Sequence, residues 1–487
     1  MSANPDIKKV SSGRPDDPLN PDSAPARSVP WFVHVGILLA IVGSNYILRR
    51  YLDQAGTHVN SFMGTAYRNE LPEIYALAWW EYLLPIHALL GAWQPASILL
   101  VHVLEHFLGS APRVFYFTNA VLVVTCYALS WQVFRSLIFT LTFTLSFAWS
   151  TFNHHTYVVS GSVALPLIVS YLLFFLFCQY KLMQPSCNYK IWAPVGMLSM
   201  TVYALAYETW LDCVTCMWLA YPVFMVLAYR TQDYRRVKVA AAIVGVTTLT
   251  AIAYVLVKTH LSHGQAPGAE SDVVMNYGLH RGLVAVEDVI VNWFTLVFIA
   301  ITTYSPPFLF NGSLSSWRYG TAELIAMQHG YHEQKAHLVG YSHLFLWRFY
   351  AGFAAAALLL AFYKSVRVVW RAPSATVVAI FVFLLMTLLP GTTHMLVKYR
   401  PMHSAPLLSY HSYFGIVGFS LLLSSCAMWV HQNIQRRGLA WAIVGLIWID
   451  LGYCALARPS FLSHMAVECG FPPYPDAWQN LKEMVRR

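Results

Sequence analysis

The stretch "WFVHVGILLAIVGSNYILRRYLDQ", residues 31–54, begins as a continuous apolar run and ends in two arginines and an aspartate. Crossing about 30 Å of hydrocarbon takes a helix of roughly 20 largely apolar residues, which 31–48 nearly supplies on its own. Four cations precede the run (Lys8, Lys9, Arg14 and Arg27), as they would in a signal peptide. However, the run closes on "NYILRR" without a small-residue cleavage site, so it reads as an uncleaved anchor. Asp53 then stands where the anchor leaves the membrane, either as a chemical group or as a solvated helix end.

Further runs of the same kind recur as far as Leu456. The candidate spans are 31–48, 114–134, 137–150, 157–178, 191–207, 211–229, 239–257, 344–363, 376–390, 407–430 and 439–456, with 289–304 as a re-entrant or interfacial segment. Of the 487 residues, 57% are hydrophobic and 11% charged, and mean hydropathy is +0.50. Soluble domains carry roughly 25% charged residues. Lipid leaves the backbone only helices or closed barrels, and unbroken runs of this length are helical. The expected fold is therefore an all-α polytopic membrane protein of about 11 to 12 transmembrane helices.

The net charge of +9 does not form one basic face, so nucleic acid is not an expected partner. Its cations fall in short interhelical loops: 229–238, 363–371 and 431–437, with Arg135, Lys181 and Lys190 in support. Positive loops stay in the cytoplasm, which places the N-terminus inside. Residues 1–29, rich in Pro, Asp and Ser, read as a disordered cytoplasmic tail. The transmembrane domain covers 30–458, with external loops 49–113 and 259–343, and 459–487 forms an external tail. Long segments lie outside and short turns inside, so the work belongs to the outer face. The expected setting is a multi-pass bacterial inner-membrane protein facing a periplasm.

Several polar groups compete for attention. "LPEIYALAWWEYLLPIHALLGAW" (71–93) has the Trp and Tyr content of an interfacial helix. "HVLEH" (102–106) spells the inverted zinc-protease motif, but no peptidase domain accompanies it, and an interfacial helix is the stronger reading. "NHHTY" (153–157) carries His154 and His155 in an external turn, as substrate contacts or ordinary turn polarity. "YETWLD" (207–212) spaces Glu208 and Asp212 to share one face of a helix near the boundary, where carboxylates are costly, as a functional site or as a solvated hairpin. The histidines 329, 332, 337 and 343 are too irregularly spaced for a metal cage. Cys213-x-x-Cys216 has no second pair and reads as small core residues, as do Cys126, Cys178, Cys426 and Cys454. "HMLVKYRPMHSAP" (394–406) puts Lys398, Arg400 and His403 at headgroup depth, where they can clamp a phosphate or anchor to lipid.

Taken together, the chain resembles the GT-C superfamily of membrane glycosyltransferases, which includes protein O-mannosyltransferases and the aminoarabinose transferase of lipid A. The resemblance lies in the anchor span, the long first external loop with interfacial helices, and Asp53 just after the span. The segments "APRVFYFTNAVLVVTCYALSWQVF", "HTYVVSGSVALPLIVSYLLFFLF" and "KYRPMHSAPLL" also carry it. It implies transfer of a sugar, with inversion, from a polyprenyl-phosphate carrier to a protein, lipid or glycan acceptor at the outer face. Asp53 would then be the general base. Arg49, Arg50, Lys398 and Arg400 would hold the phosphate, and His154, His155, Glu208, Asp212 and His403 would line the substrate site. Many members pair acids in the first loop, whereas Gln54 follows Asp53 here, which points to a metal-independent mechanism with no cofactor beyond the lipid-linked donor. Two other readings stay open. One is a non-catalytic subunit of a membrane complex with this fold, and the other a transporter, flippase or envelope-polymer ligase.

Overall fold

The computed structural model describes residues 29–55, 95–109, 111–149, 165–182, 187–206, 415–449 and 451–452, with single positions between 238 and 256. Outside short turns these residues are helical, and no strand occurs among them. In chain order the elements are α1 (Trp31–Ala55), α2 (Pro95–Leu108), α3 (Ala111–Phe134), α4 (Leu137–Ala148), α5 (Leu165–Leu182), α6 (Tyr189–Ala206), α7 (Gly415–Asn433) and α8 (Arg437–Ile449). All but α2 match expected runs, 31–48, 114–134, 137–150, 157–178, 191–207, 407–430 and 439–456, with shifted ends, and α2 falls within the expected external loop 49–113. The described positions of the expected span 239–257 are helical too. The expected spans 211–229, 344–363 and 376–390, the segment 289–304, the loop 259–343 and the two tails (except residue 29) lie outside the described residues.

Among the described residues two helices are long and apolar enough to cross a membrane: Trp31–Arg50, with mean hydropathy 1.8, and Arg113–Phe134, with 1.5. α4, α8 and the Pro166–Leu182 portion of α5 are shorter apolar helices. α1 runs on past Leu48 to Ala55, so the first loop begins as a continuation of the helix rather than as a loop.

α3 packs against α1, α2, α4 and α5, and α4 against α1, α3 and α7. α4 reads "LIFTLTFTLSFA", apolar on every side, and ten of its residues are buried. A helix without a polar face belongs inside. Of its four hydroxyls, that of Thr140 is buried without a hydrogen-bond partner among the described residues, while Thr142, Thr144 and Ser146 donate to the carbonyls of Ile138, Thr140 and Thr142 at 2.8, 2.7 and 2.7 Å. Such back-bonding lets a hydroxyl sit in an apolar interior without an orphan proton. Thr142 also accepts from Trp448 Nε1 at 2.9 Å, tying α8 to α4.

A two-residue turn joins α3 to α4. Arg135 has φ +51, the left-handed region, and its N–H bonds back to the Trp131 carbonyl at 3.1 Å. This is the helix-ending geometry that glycine usually supplies. Ser136 then caps α4, its hydroxyl accepting from Phe139 N at 3.4 Å.

The contacts fix which ends lie together. α1 and α3 are antiparallel, because His34 bonds to the Tyr127 hydroxyl at 2.8 Å and lies 4.4 Å from the Trp131 ring, while Tyr46 lies 5.4 Å from Tyr116. α5 runs parallel to α3, with Phe177 and Tyr180 packed on Val133. α6 returns beside it, Trp192 lying 5.6 Å from Phe177. Ala427 of α7 and Val444 of α8 both pack on Ile138 at the start of α4, whereas Leu451, beyond α8, clusters with Ala148 at its finish. The beginning of α1 therefore shares one end of the bundle with Arg135, Lys181, Lys190, Arg436 and Arg437. The other end carries Arg49, Arg50, Arg113 and Trp149.

Candidate functional site

At that second end the sequence of α1 turns polar: Ser44, Asn45, Arg49 and Arg50. Helical spacing puts positions 45, 49 and 53 on one row. Two of these meet the finish of α4. The last four carbonyls of a helix have no partner within it, and that of Ala148 accepts from Asn45 Nδ2 at 2.6 Å and from Arg49 Nη2 at 3.2 Å. Next to them, Trp149 Nε1 donates to the Ser44 hydroxyl at 3.0 Å, and that hydroxyl donates to the Ile41 carbonyl at 2.8 Å.

Asn45 is 2% exposed and Arg49 0%. A guanidinium this deep is costly unless hydrogen-bonded and set in a favourable field. The C-terminal end of α4 contributes to both, through the Ala148 carbonyl that Nη2 reaches and through the negative pole of its dipole. The adjacent Arg50 is exposed. So the two arginines of "NYILRR" part company: one is held inside against α4, and the other is available to water or a ligand.

Of the residues expected to act, Arg49 and Arg50 are thus brought to the same end. Asp53 falls on the last turn of α1, one turn beyond Arg49, and its side chain lies outside the described residues. His154, His155, Glu208, Asp212, Lys398, Arg400 and His403 lie outside the described residues altogether. The chain leaves α4 at Trp149, beside Ser44, five residues before His154.

"HVLEH" forms the second half of α2, with His106 exposed against Phe107. α2 packs on the start of α3, where Leu104 and Leu108 cover Val114 and Phe115. Among the described residues no group of three or more His, Cys, Asp or Glu is placed to share a metal ion. Cys126 and Cys178 are buried among apolar side chains, as expected, while Cys426 is exposed.

A cavity of about 30 Å³ lies between α3, α4, α5 and α7, walled by Leu129, Val133, Phe143, Leu173 and Leu421. It is small and offers hardly any polar surface, so it gives a sugar or a phosphate no hydrogen-bonding partners. It also sits toward the Arg135 end, away from Arg49.

Asn45, Ser44 and Trp149 were not among the expected site residues. The available signal was the four-residue spacing of Asn45, Arg49 and Asp53 within one helix. Comparison with protein-family models and with curated proteins finds no match for the chain.

Proposed function

We propose that the chain is a polytopic membrane glycosyltransferase of the GT-C kind. In this reading it transfers a sugar from a polyprenyl-phosphate carrier to a hydroxyl acceptor at the outer face, without a metal. The observation that carries it is the continuation of α1 through Arg50 to position 53, at the bundle end opposite the basic turns. Basic turns mark the cytoplasmic side of a membrane bundle. Asp53, Arg50 and the segment leading to His154 then belong to the external side, where a lipid-borne sugar is presented.

The chemistry is an in-line displacement at the anomeric carbon. The acceptor oxygen attacks, the bond from that carbon to the phosphate oxygen breaks, and the phosphate leaves with the electron pair. Asp53 takes the acceptor proton as general base. Arg50, Lys398 and Arg400 neutralise the departing phosphate, which needs positive charge more than a proton donor. His154, His155, Glu208, Asp212 and His403 orient the sugar and the acceptor.

To test this, transfer of radiolabelled sugar from a polyprenyl-phosphate donor is measured in membranes holding the wild type or Asp53→Asn. Loss of a general base predicts a fall of roughly 100-fold or more. Equal turnover would remove Asp53 from that role.

The burial of Arg49 favours a second reading, a non-catalytic subunit with the same fold, because there the polar row of α1 serves packing alone. That reading expects copurification with a larger membrane complex whose activity tolerates Asp53→Asn and Arg50→Gln.

A further inference from the structure

The end of the bundle where α1 begins has a composition of its own. Arg135, Lys190, Arg436 and Arg437 are exposed there, with Lys181 half-buried over the Phe177 ring at 5.1 Å. These cations come from three turns far apart in sequence, and the helix contacts bring them to one rim. No Asp or Glu occurs among the described residues of that end. Toward the same end lie tryptophans from five helices: Trp31, Trp131, Trp192, Trp429 and Trp441. Trp31 is 76% exposed, Trp429 62% and Trp441 47%, although indole is large and usually well covered.

Indole rings and cations at one end match the two layers of a bilayer surface: acyl–carbonyl boundary, then phosphate. Arg135 adds an independent indication. A glycine would hold φ +51 without strain, whereas an arginine there goes against its backbone preference. Its guanidinium donates to Gln132 Oε1 at 3.1 Å and stays exposed.

We infer that this rim is a binding surface for anionic phospholipid headgroups, which the folded protein holds through Arg135, Lys190, Arg436 and Arg437 with the tryptophan belt seated among the acyl chains. The inference rests on the membrane-spanning reading of the bundle, though not on glycosyl transfer. It goes beyond orientation. Cations that act only during insertion leave the finished protein indifferent to headgroup charge, whereas a binding surface does not.

The test uses the full chain purified in a neutral detergent. Its thermal midpoint is followed while phosphatidylglycerol, phosphatidylcholine or inorganic phosphate is added. Phosphatidylglycerol should raise the midpoint, phosphatidylcholine and free phosphate should not, and about 1 M salt, with a Debye length of about 3 Å, should erase the rise. Each cation replaced by glutamine should weaken the apparent phosphatidylglycerol affinity roughly fivefold. The single variants R135Q and R436Q keep the other rim cations, so insertion survives. Should phosphatidylcholine stabilise as well as phosphatidylglycerol, or should both variants respond like the wild type, the inference is overturned. Release of the chain from membranes by alkaline carbonate would overturn the membrane reading itself, a result separate from indifference to lipid charge in a chain that stays embedded.

Discussion

Arg49 and Arg135 sit at opposite ends of one bundle and show what an arginine can be made to do. Arg135 ends a helix in the left-handed region, exposed, its guanidinium bonded to Gln132 three residues back. Arg49 lies within a helix, fully buried, and donates to a carbonyl 99 residues away in sequence. The first is placed for what lies outside the protein, and the second for the protein itself. Position on the helix decides the difference: an arginine on the row of Asn45 meets the bare carbonyl of α4, and its neighbour Arg50, rotated by about 100°, meets solvent.

If that contrast is right, Arg49→Met should be the most damaging change outside any catalytic step. It removes a charged donor from a buried carbonyl and from the dipole of α4, a loss of about 2 to 3 kcal/mol. Measured as thermal unfolding in detergent, the variant should melt several degrees lower, and Arg50→Met should not. Equal effects at the two positions would break the comparison.

The bond between Trp448 and Thr142 is a milder probe, since it ties helices through uncharged groups. A double-mutant cycle of Trp448→Phe with Thr142→Val should give a coupling of about 0.6 kcal/mol, the mean for interhelical hydrogen bonds in a membrane bundle. A coupling as large as the loss at Arg49 would mean that charge is not what sets the α1–α4 contact apart.

Arg135→Gly should have the smallest effect on stability, and of opposite sign. It relieves the left-handed strain and should raise the melting temperature slightly in neutral detergent, by no more than about 1 kcal/mol of stability. With phosphatidylglycerol present the gain should shrink, because the cation is lost along with the strain.

Much of the helical pattern was legible beforehand. The hinge between 114–134 and 137–150 was expected at Arg135, and α3 and α4 meet there. The grouping of Arg135, Lys181, Lys190 and the 431–437 turn at one side was also expected, from charge alone, and helix contacts place them at one end. The first span was expected to finish at Leu48, and its apolar stretch runs to Arg50. Arginine and aspartate lower hydropathy but are no obstacle to a helix, so α1 continues to Ala55. The distinction between Arg49 and Arg50 was not legible, because both looked like phosphate ligands.

By itself the chain determined that it forms helices, roughly where they start and stop, and which turns are cationic, since those properties depend on neighbouring residues and on transfer from water. Only the tertiary structure decided that α4 ends against Asn45 and Arg49, and that tryptophans from five helices lie toward one end. Those outcomes depend on which helices pack together and in which rotation, and a one-dimensional pattern of apolar runs is nearly the same for many such arrangements.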